Sequence, residues 1–175
     1  MRRPDKLRSD RVGPKTATEF RYDGKEFSVF GKNSGYYATA PAPGQLDQAI
    51  DAARNQFNIE APAADLLGSD PYNELLDGVT TGRYVGLETV GGVRVHHLAF
   101  QGHDVDWQLW VQDGPQPIPR KFEITSKNVT GQPEYAVTIS DWKPNASLPD
   151  STFKFAPPPG AKRVPLEPGS SAPSP

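Results

Sequence analysis

Apolar and polar residues alternate with a period of two over several short stretches of the chain. Each stretch ends at a glycine, a proline or an Asp-Gly pair, the pattern of strands joined by turns. In TEFRYDGKEFSVF, Asp23-Gly24 suits the positive backbone angles of a two-residue type I′ turn. Counting outward sets Tyr22 against Lys25, Arg21 against Glu26, Phe20 against Phe27 and Thr18 against Val29. Phe20, Tyr22, Phe27 and Val29 then share a dry face, and Glu19, Arg21, Glu26 and Ser28 the wet one. GYYATAP predicts a third strand, ended by Pro41.

The period then changes. In APGQLDQAIDAARNQFNIE, Leu46, Ala49, Ile50, Ala53 and Phe57 recur at helical spacing, which predicts an amphipathic helix. SDPYNELLDG predicts a short second helix, with Asp70 as N-cap, Pro71 in its first turn and Gly78 past its end. Between them APAADLLG brings Leu66 and Leu67 toward the same apolar surface.

VRVHHLAFQGHDVDWQLWV returns to alternation, and a Gly102-His103 turn sets Phe100 against Val105, Leu98 against Trp107 and His96 against Leu109. One face carries His96, Leu98, Phe100, Val105, Trp107, Leu109 and Val111; the other carries Val95, His97, Ala99, Asp106, Gln108 and Trp110. IPRKFEITSK continues with Ile118, Phe122 and Ile124 on one side, Arg120 among them, and Lys121, Glu123 and Thr125 on the other. PEYAVTISDW predicts a further strand and Phe153 to Phe155 a last short one. PLEPGSSAPSP, from 165 to 175, has nothing to bury and reads as a disordered Pro/Ser-rich tail.

Composition removes function classes. The balance of 19 Lys+Arg against 21 Asp+Glu leaves a net charge of -2, without the basic footprint that nucleic acid requires. With no cysteine there is neither a disulfide nor a thiolate site. No apolar run approaches the ~20 residues of a membrane span, and MRRPDKLRSD lacks the apolar core of a signal peptide.

The three histidines, His96, His97 and His103, invite a metal or hydrolase reading. Alternation counts against it, because His96 and His97 point to opposite faces and His103 falls at the turn tip. The remaining set, His97 with Asp106 and Gln108, would hold at most a weak divalent ion. A nucleophile arrangement from Ser28, Ser140, His96 and Asp141 has no Gly-x-Ser-x-Gly elbow to support it. His96 and Arg120 are the polar candidates on the apolar side; no metal, cofactor or catalytic residue is implied.

The series RRPDKLRSDR, FRYDGKEFSVF, LGSDPYNELLDGV, GGVRVHHLAF, VDWQLWVQDG, PIPRKFEITSK and LPDSTFKFAPPPGAKRV resembles a bacterial family of predicted periplasmic proteins. That family is similar to the LolA/LolB-type lipoprotein carriers and their relatives LppX and the N-terminal domain of RseB. The resemblance implies an α+β, mostly β fold: one LolA-like domain over residues 1–164, a curved antiparallel sheet forming a half-open barrel with helices over its concave face. It implies a hydrophobic cavity walled by Phe20, Phe27, Val29, Leu98, Phe100, Trp107, Leu109, Phe122 and Ile124, with Leu46, Ile50, Phe57, Leu66 and Leu67 in the lid. The implied function is non-catalytic binding of a lipid or lipoprotein acyl group, as a carrier or sensor in the cell envelope, with envelope proteins as further partners. Relatives begin with a signal peptide, a long helix and leading strands, whereas Met1 here stands directly before RRPDKLR. A truncated copy is therefore expected, periplasmic by resemblance and cytoplasmic if that start is real. The alternative is a structural or protein-interaction domain with a packed interior, and the third a metal-dependent hydrolase on the histidine hairpin.

Overall fold

The computed structural model describes residues 1–42, 44–57, 59 and 63–166, with the backbone alone for Gln56. Residues 167–175, most of the expected tail, lie outside the described residues. The protein is mostly β: the described residues form two five-stranded sheets and few helices, and among them neither sheet closes into a barrel. The chain divides into two compact units: Met1–Ser69 with the chain from Ala146 on, and Asp70–Asn145.

The first unit holds β1 (Leu7–Val12), β2 (Ala17–Tyr22), β3 (Glu26–Gly31) and β4 (Tyr36–Pro41), antiparallel in that order, with the two-residue β10 (Lys162–Arg163) parallel to β4. The β2–β3 hairpin forms as expected, but its register is two residues away from the predicted one. Tyr22 faces Phe27 and Phe20 faces Val29. The Asp23 carboxylate explains the shift: it accepts from the backbone N–H groups of Lys25 (3.0 Å) and Glu26 (3.1 Å), holding a four-residue loop with Gly24 at φ 94°. A shift of two leaves every side chain on its predicted face.

Helix α1 (Leu46–Phe57) lies where helical spacing put it, and its apolar stripe shares one core with the dry face of the sheet. Tyr22 and Phe27 are fully buried there with Leu46, Ala49, Ile50 and Ala53. The Phe27 ring meets Phe20 at 5.7 Å and Phe57, edge-on, at 5.4 Å. The Tyr22 hydroxyl sits 2.7 Å from the carbonyl oxygens of both Ala42 and Gly44, tying the strand to the approach to α1.

On the other face the expected strand Phe153–Phe155 is absent. A 3-10 turn at Asp150–Thr152 leads instead into an irregular strap. Its carbonyls go to a side chain rather than a ladder: the Arg21 guanidinium donates to Lys154 O at 2.7 Å and Thr152 O at 3.3 Å. Phe153 is buried, and Phe155 packs on Phe30 and Tyr37 at 5.9 and 5.2 Å. Strand pairing resumes only at β10. The pattern did not predict β1, whose sequence LRSDRV buries Leu7 alone and so carries no alternation.

The second unit opens with helix α2 (Pro71–Leu76), capped as predicted by Asp70, which accepts from the Asn73 backbone N–H at 3.2 Å. An antiparallel meander follows: β5 (Val79–Val90), β6 (Val93–Gly102), β7 (Val105–Gln112), β8 (Pro119–Ser126) and β9 (Glu134–Thr138). The β6–β7 register is again two residues from the expected one, with Phe100 facing Trp107, Leu98 facing Leu109 and His97 facing Trp110. The turn is His103-Asp104, and the predicted faces survive. β5 was not predicted; it lies at the sheet edge, its alternation broken by a bulge between Tyr84 and Gly86.

Candidate functional site

Register places six of the expected wall residues on one face of the second sheet, where Leu98 opposes Leu109, Phe100 opposes Trp107, and β8 adds Phe122 and Ile124 beside Leu109 and Trp107. Phe100 and Trp107 stack at 4.0 Å, and Trp107 reaches Phe122 at 5.9 Å. The absence of a side chain at Gly82 matters here: a Cβ would stand 2.9 Å from the Phe100 ring, so glycine lets that ring lie against the edge strand. Trp107 and Phe122 are buried, whereas Leu98, Phe100, Leu109 and Ile124 remain half-buried. β5 extends the face with Tyr84 and Leu87, which are 56% and 54% exposed. This is an apolar surface with room for contact.

The other three wall residues, Phe20, Phe27 and Val29, belong to the first unit and pack directly with the lid residues Leu46, Ile50, Phe57 and Leu67 in its core. Leu66 is half-buried in the 3-10 turn Ala64–Leu67, which Arg54 anchors to α1 through Asp65 at 2.8 Å. Wall and lid of this unit are in contact with each other.

The histidines part as the alternation required. His96 ends the apolar row of β6, with Nδ1 3.1 Å from the Tyr84 hydroxyl and Nε2 3.2 Å from Asp113 Oδ1. Arg94 donates to the second Asp113 oxygen at 2.6 Å. His96 first, and Arg94 with it, hold the Asp113 carboxyl below its ordinary range. His103 lies in the β6–β7 turn and is exposed.

His97 sits on the opposite face, almost buried, stacked on Trp110 at 4.1 Å. Its Nδ1 meets Glu88 Oε1 and its Nε2 meets Gln108 Oε1, each at 2.8 Å. The Trp110 indole N–H donates to Glu88 Oε2 at 2.8 Å, and this bond, then His97, keeps the Glu88 carboxyl below its ordinary range. Lys121 lies over the Trp110 ring at 4.3 Å and pairs with Glu123. The result is a closed polar lattice that occupies both nitrogens of His97.

The predicted set of His97, Asp106 and Gln108 does not form. Asp106 pairs with Lys127 at 3.1 Å and accepts from the Gly102 N–H, while Glu88 takes its place beside the imidazole. Among the described residues no three His, Cys, Asp or Glu side chains gather to hold a metal ion. Ser140 donates to Asp141, Ser28 is buried, and the two ring nitrogens of His96 meet Tyr84 and Asp113 instead. Arg120 donates through Nε and Nη2 to Gln112 Oε1 at 2.9 and 2.5 Å, an amide rather than a carboxylate.

Sequence reasoning missed Glu88 and Tyr84 because it did not read β5. The signal was present in Gly91-Gly92, whose φ values of 57° and 79° make a tight reversal between β5 and β6. Counting outward from it sets Glu88 against Val95, which puts the carboxylate on the face of His97.

The chain belongs to a family described as predicted periplasmic protein (DUF2092), whose sequence pattern matches residues 1–167. No curated protein matches it. Among the described residues no helix is long and apolar enough to cross a membrane.

Proposed function

We propose that this member of the predicted periplasmic family is a non-catalytic envelope protein that binds a lipid or lipoprotein acyl group on the apolar face of its second sheet, as a carrier or sensor. One observation carries the reading: Leu98, Phe100, Leu109 and Ile124 are half-buried, while Tyr84 and Leu87 on the same face are more than half exposed. An acyl chain laid along this face removes water from both surfaces, with about 0.8 kcal/mol for each methylene buried. His96 and the Tyr84 hydroxyl stand at one end of the row, where a polar head group would be met. The resemblance to LolA-type carriers supports the same class of ligand.

A second reading, a protein-interaction domain with a packed interior, draws on the first unit. There Phe27 is fully buried against Leu46 and Phe57, which leaves the expected wall and lid acting as ordinary core.

Native mass spectrometry of the purified protein separates the readings, with a fluorescent long-chain fatty acid as a titrated probe. The expected result is an adduct of lipid mass and probe binding that Leu109→Glu reduces at least tenfold with circular dichroism unchanged. A bare protein mass without probe binding selects the interaction domain. A stoichiometric divalent ion would return attention to the histidines.

A further inference from the structure

The two sheets end in four edge strands, and natural sheets guard such edges with charge, proline or brevity. β1 guards its edge with Arg8 and Asp10 in ion pairs, β9 has five residues, and β10 has two, with Pro165 shortly after. β5 differs. It is twelve residues long, exposed along nearly its whole length, paired among the described residues on one side only, with β6, and carries Tyr84, Val85 and Leu87 exposed.

We infer that the free edge of β5 pairs antiparallel with β5 of a second copy of this chain, about a two-fold axis between Val85 and Gly86. The edge is self-complementary. In this register Arg83 opposes Glu88 of the other copy, Tyr84 opposes Leu87, and Gly82 opposes Thr89, each pair occurring twice. Arg83 is exposed and has no ion-pair partner among the described residues. Glu88 uses one lone pair of each oxygen on His97 and Trp110, and a carboxylate has about four such sites, so a guanidinium can still be accepted. Opposite charges and an aromatic-aliphatic pair are the cross-strand partners that stabilise a sheet.

The bulge fits the same axis. Between Tyr84, which faces Leu98, and Gly86, which faces His97, β5 carries one extra residue. The strand therefore changes face out of step at Val85. Tyr84 and Leu87 consequently lie on one face and Arg83 and Glu88 on the other, so opposed residues share both face and hydrogen-bonding side. A register one residue away would set Arg83 against Leu87 and lose this match. The pairing does not depend on an acyl ligand.

The chain contains no cysteine, so two single-cysteine variants, Tyr84→Cys and Leu87→Cys, report on the register without background. Both positions are exposed enough to accept the change. Directly opposed residues of an antiparallel pair stand about 4.5–5.5 Å apart at Cα, within disulfide reach, whereas like residues here would be offset by three positions, roughly 10 Å. After oxidation of the mixed variants, the unlike disulfide dimer is expected to exceed each like dimer at least tenfold. In sedimentation, the unmodified chain is expected to approach twice 19.1 kDa at concentrations in roughly the micromolar range. Arg83→Glu, with circular dichroism unchanged, should weaken the dimer about tenfold, because two attractive pairs become repulsive. A monomer at every concentration, cross-linking of like residues as fast as unlike ones, or an Arg83→Glu dimer of undiminished affinity overturns the inference.

Discussion

The two sheets have the same number of strands and a similar alternation, yet the chain finishes them differently. In the first unit both faces are covered by neighbours from the same unit: Leu46, Ile50 and Ala53 of α1 share a core with Phe27, and Phe155 of the strap packs on Phe30 and Tyr37. In the second, one face is closed by hydrogen bonds among Glu88, His97, Gln108 and Trp110, while the apolar face keeps Leu98, Phe100, Leu109 and Ile124 only half-buried. Apolar alternation therefore marks which face is dry without saying whether the covering group belongs to the chain itself. Where it does, the residues are core; where it does not, they are the candidates for binding.

The sharpest way to break this contrast is to truncate one apolar residue in each sheet. Phe27→Ala removes a fully buried ring that touches Phe20 and Phe57 and should cost about 3–5 kcal/mol. Leu109→Ala, at a half-buried position, should cost about 1–2 kcal/mol. Chemical denaturation measures both, and equal losses would abolish the distinction between core and binding face.

A smaller effect is expected at the strap. Arg21→Ala removes the donor to the carbonyls of Thr152 and Lys154 and leaves the nearly buried Glu19 without its 2.6 Å partner. The expected loss is roughly 2 kcal/mol, with faster amide exchange across residues 150–155 than in β6 and β7. Uniform acceleration in both units would mean that the strap is not held locally by this side chain.

The smallest effect concerns Asp10. Hydrogen bonds from Lys32 and then Arg8 lower its carboxyl from 3.8 to about 2. Since the folded value lies below the unfolded one, the stabilisation is complete above about pH 4 and fades as pH falls through about 2. The group is partly exposed, so solvent and salt screen it and the contribution stays below about 1 kcal/mol. Asp10→Asn should therefore lower stability by less than about 1 kcal/mol at pH 7, change little near pH 2, and flatten the stability profile between pH 4 and 2. A profile as steep as that of the unmodified chain would assign the acid sensitivity to other carboxyls.

Much of this arrangement was legible in the sequence, and the failures have specific causes. Helix α1, the Asp70 cap and the faces of both hairpins followed from spacing and turn chemistry. Both registers missed by two residues, because an alternation of period two is unchanged by such a slip. The choice fell to local polar contacts, the Asp23 carboxylate on two backbone N–H groups in one hairpin and the His103-Asp104 turn in the other. β1 and β5 escaped notice because edge strands exposed over most of their length lose the alternation that marks a half-buried strand. Glu88 and Tyr84 went with β5, which hid one partner of each paired histidine. Phe153 and Phe155 looked like a strand because their spacing is two, but the Arg21 guanidinium takes carbonyls that a ladder would have used.

Side-chain chemistry by itself determined the mostly β character of this protein, the dry and wet face of each hairpin, the amphipathic helix, and the separation of His96 from His97, since all of these depend on neighbours a few residues apart. Tertiary structure alone decided that Phe27 is core while Leu109 stays half-buried, that Glu88 rather than Asp106 meets His97, and that the chain's last described segment binds as a strap. Those outcomes depend on which distant segment reaches a surface first with the right shape and hydrogen bonds, and a local periodicity carries no record of that competition.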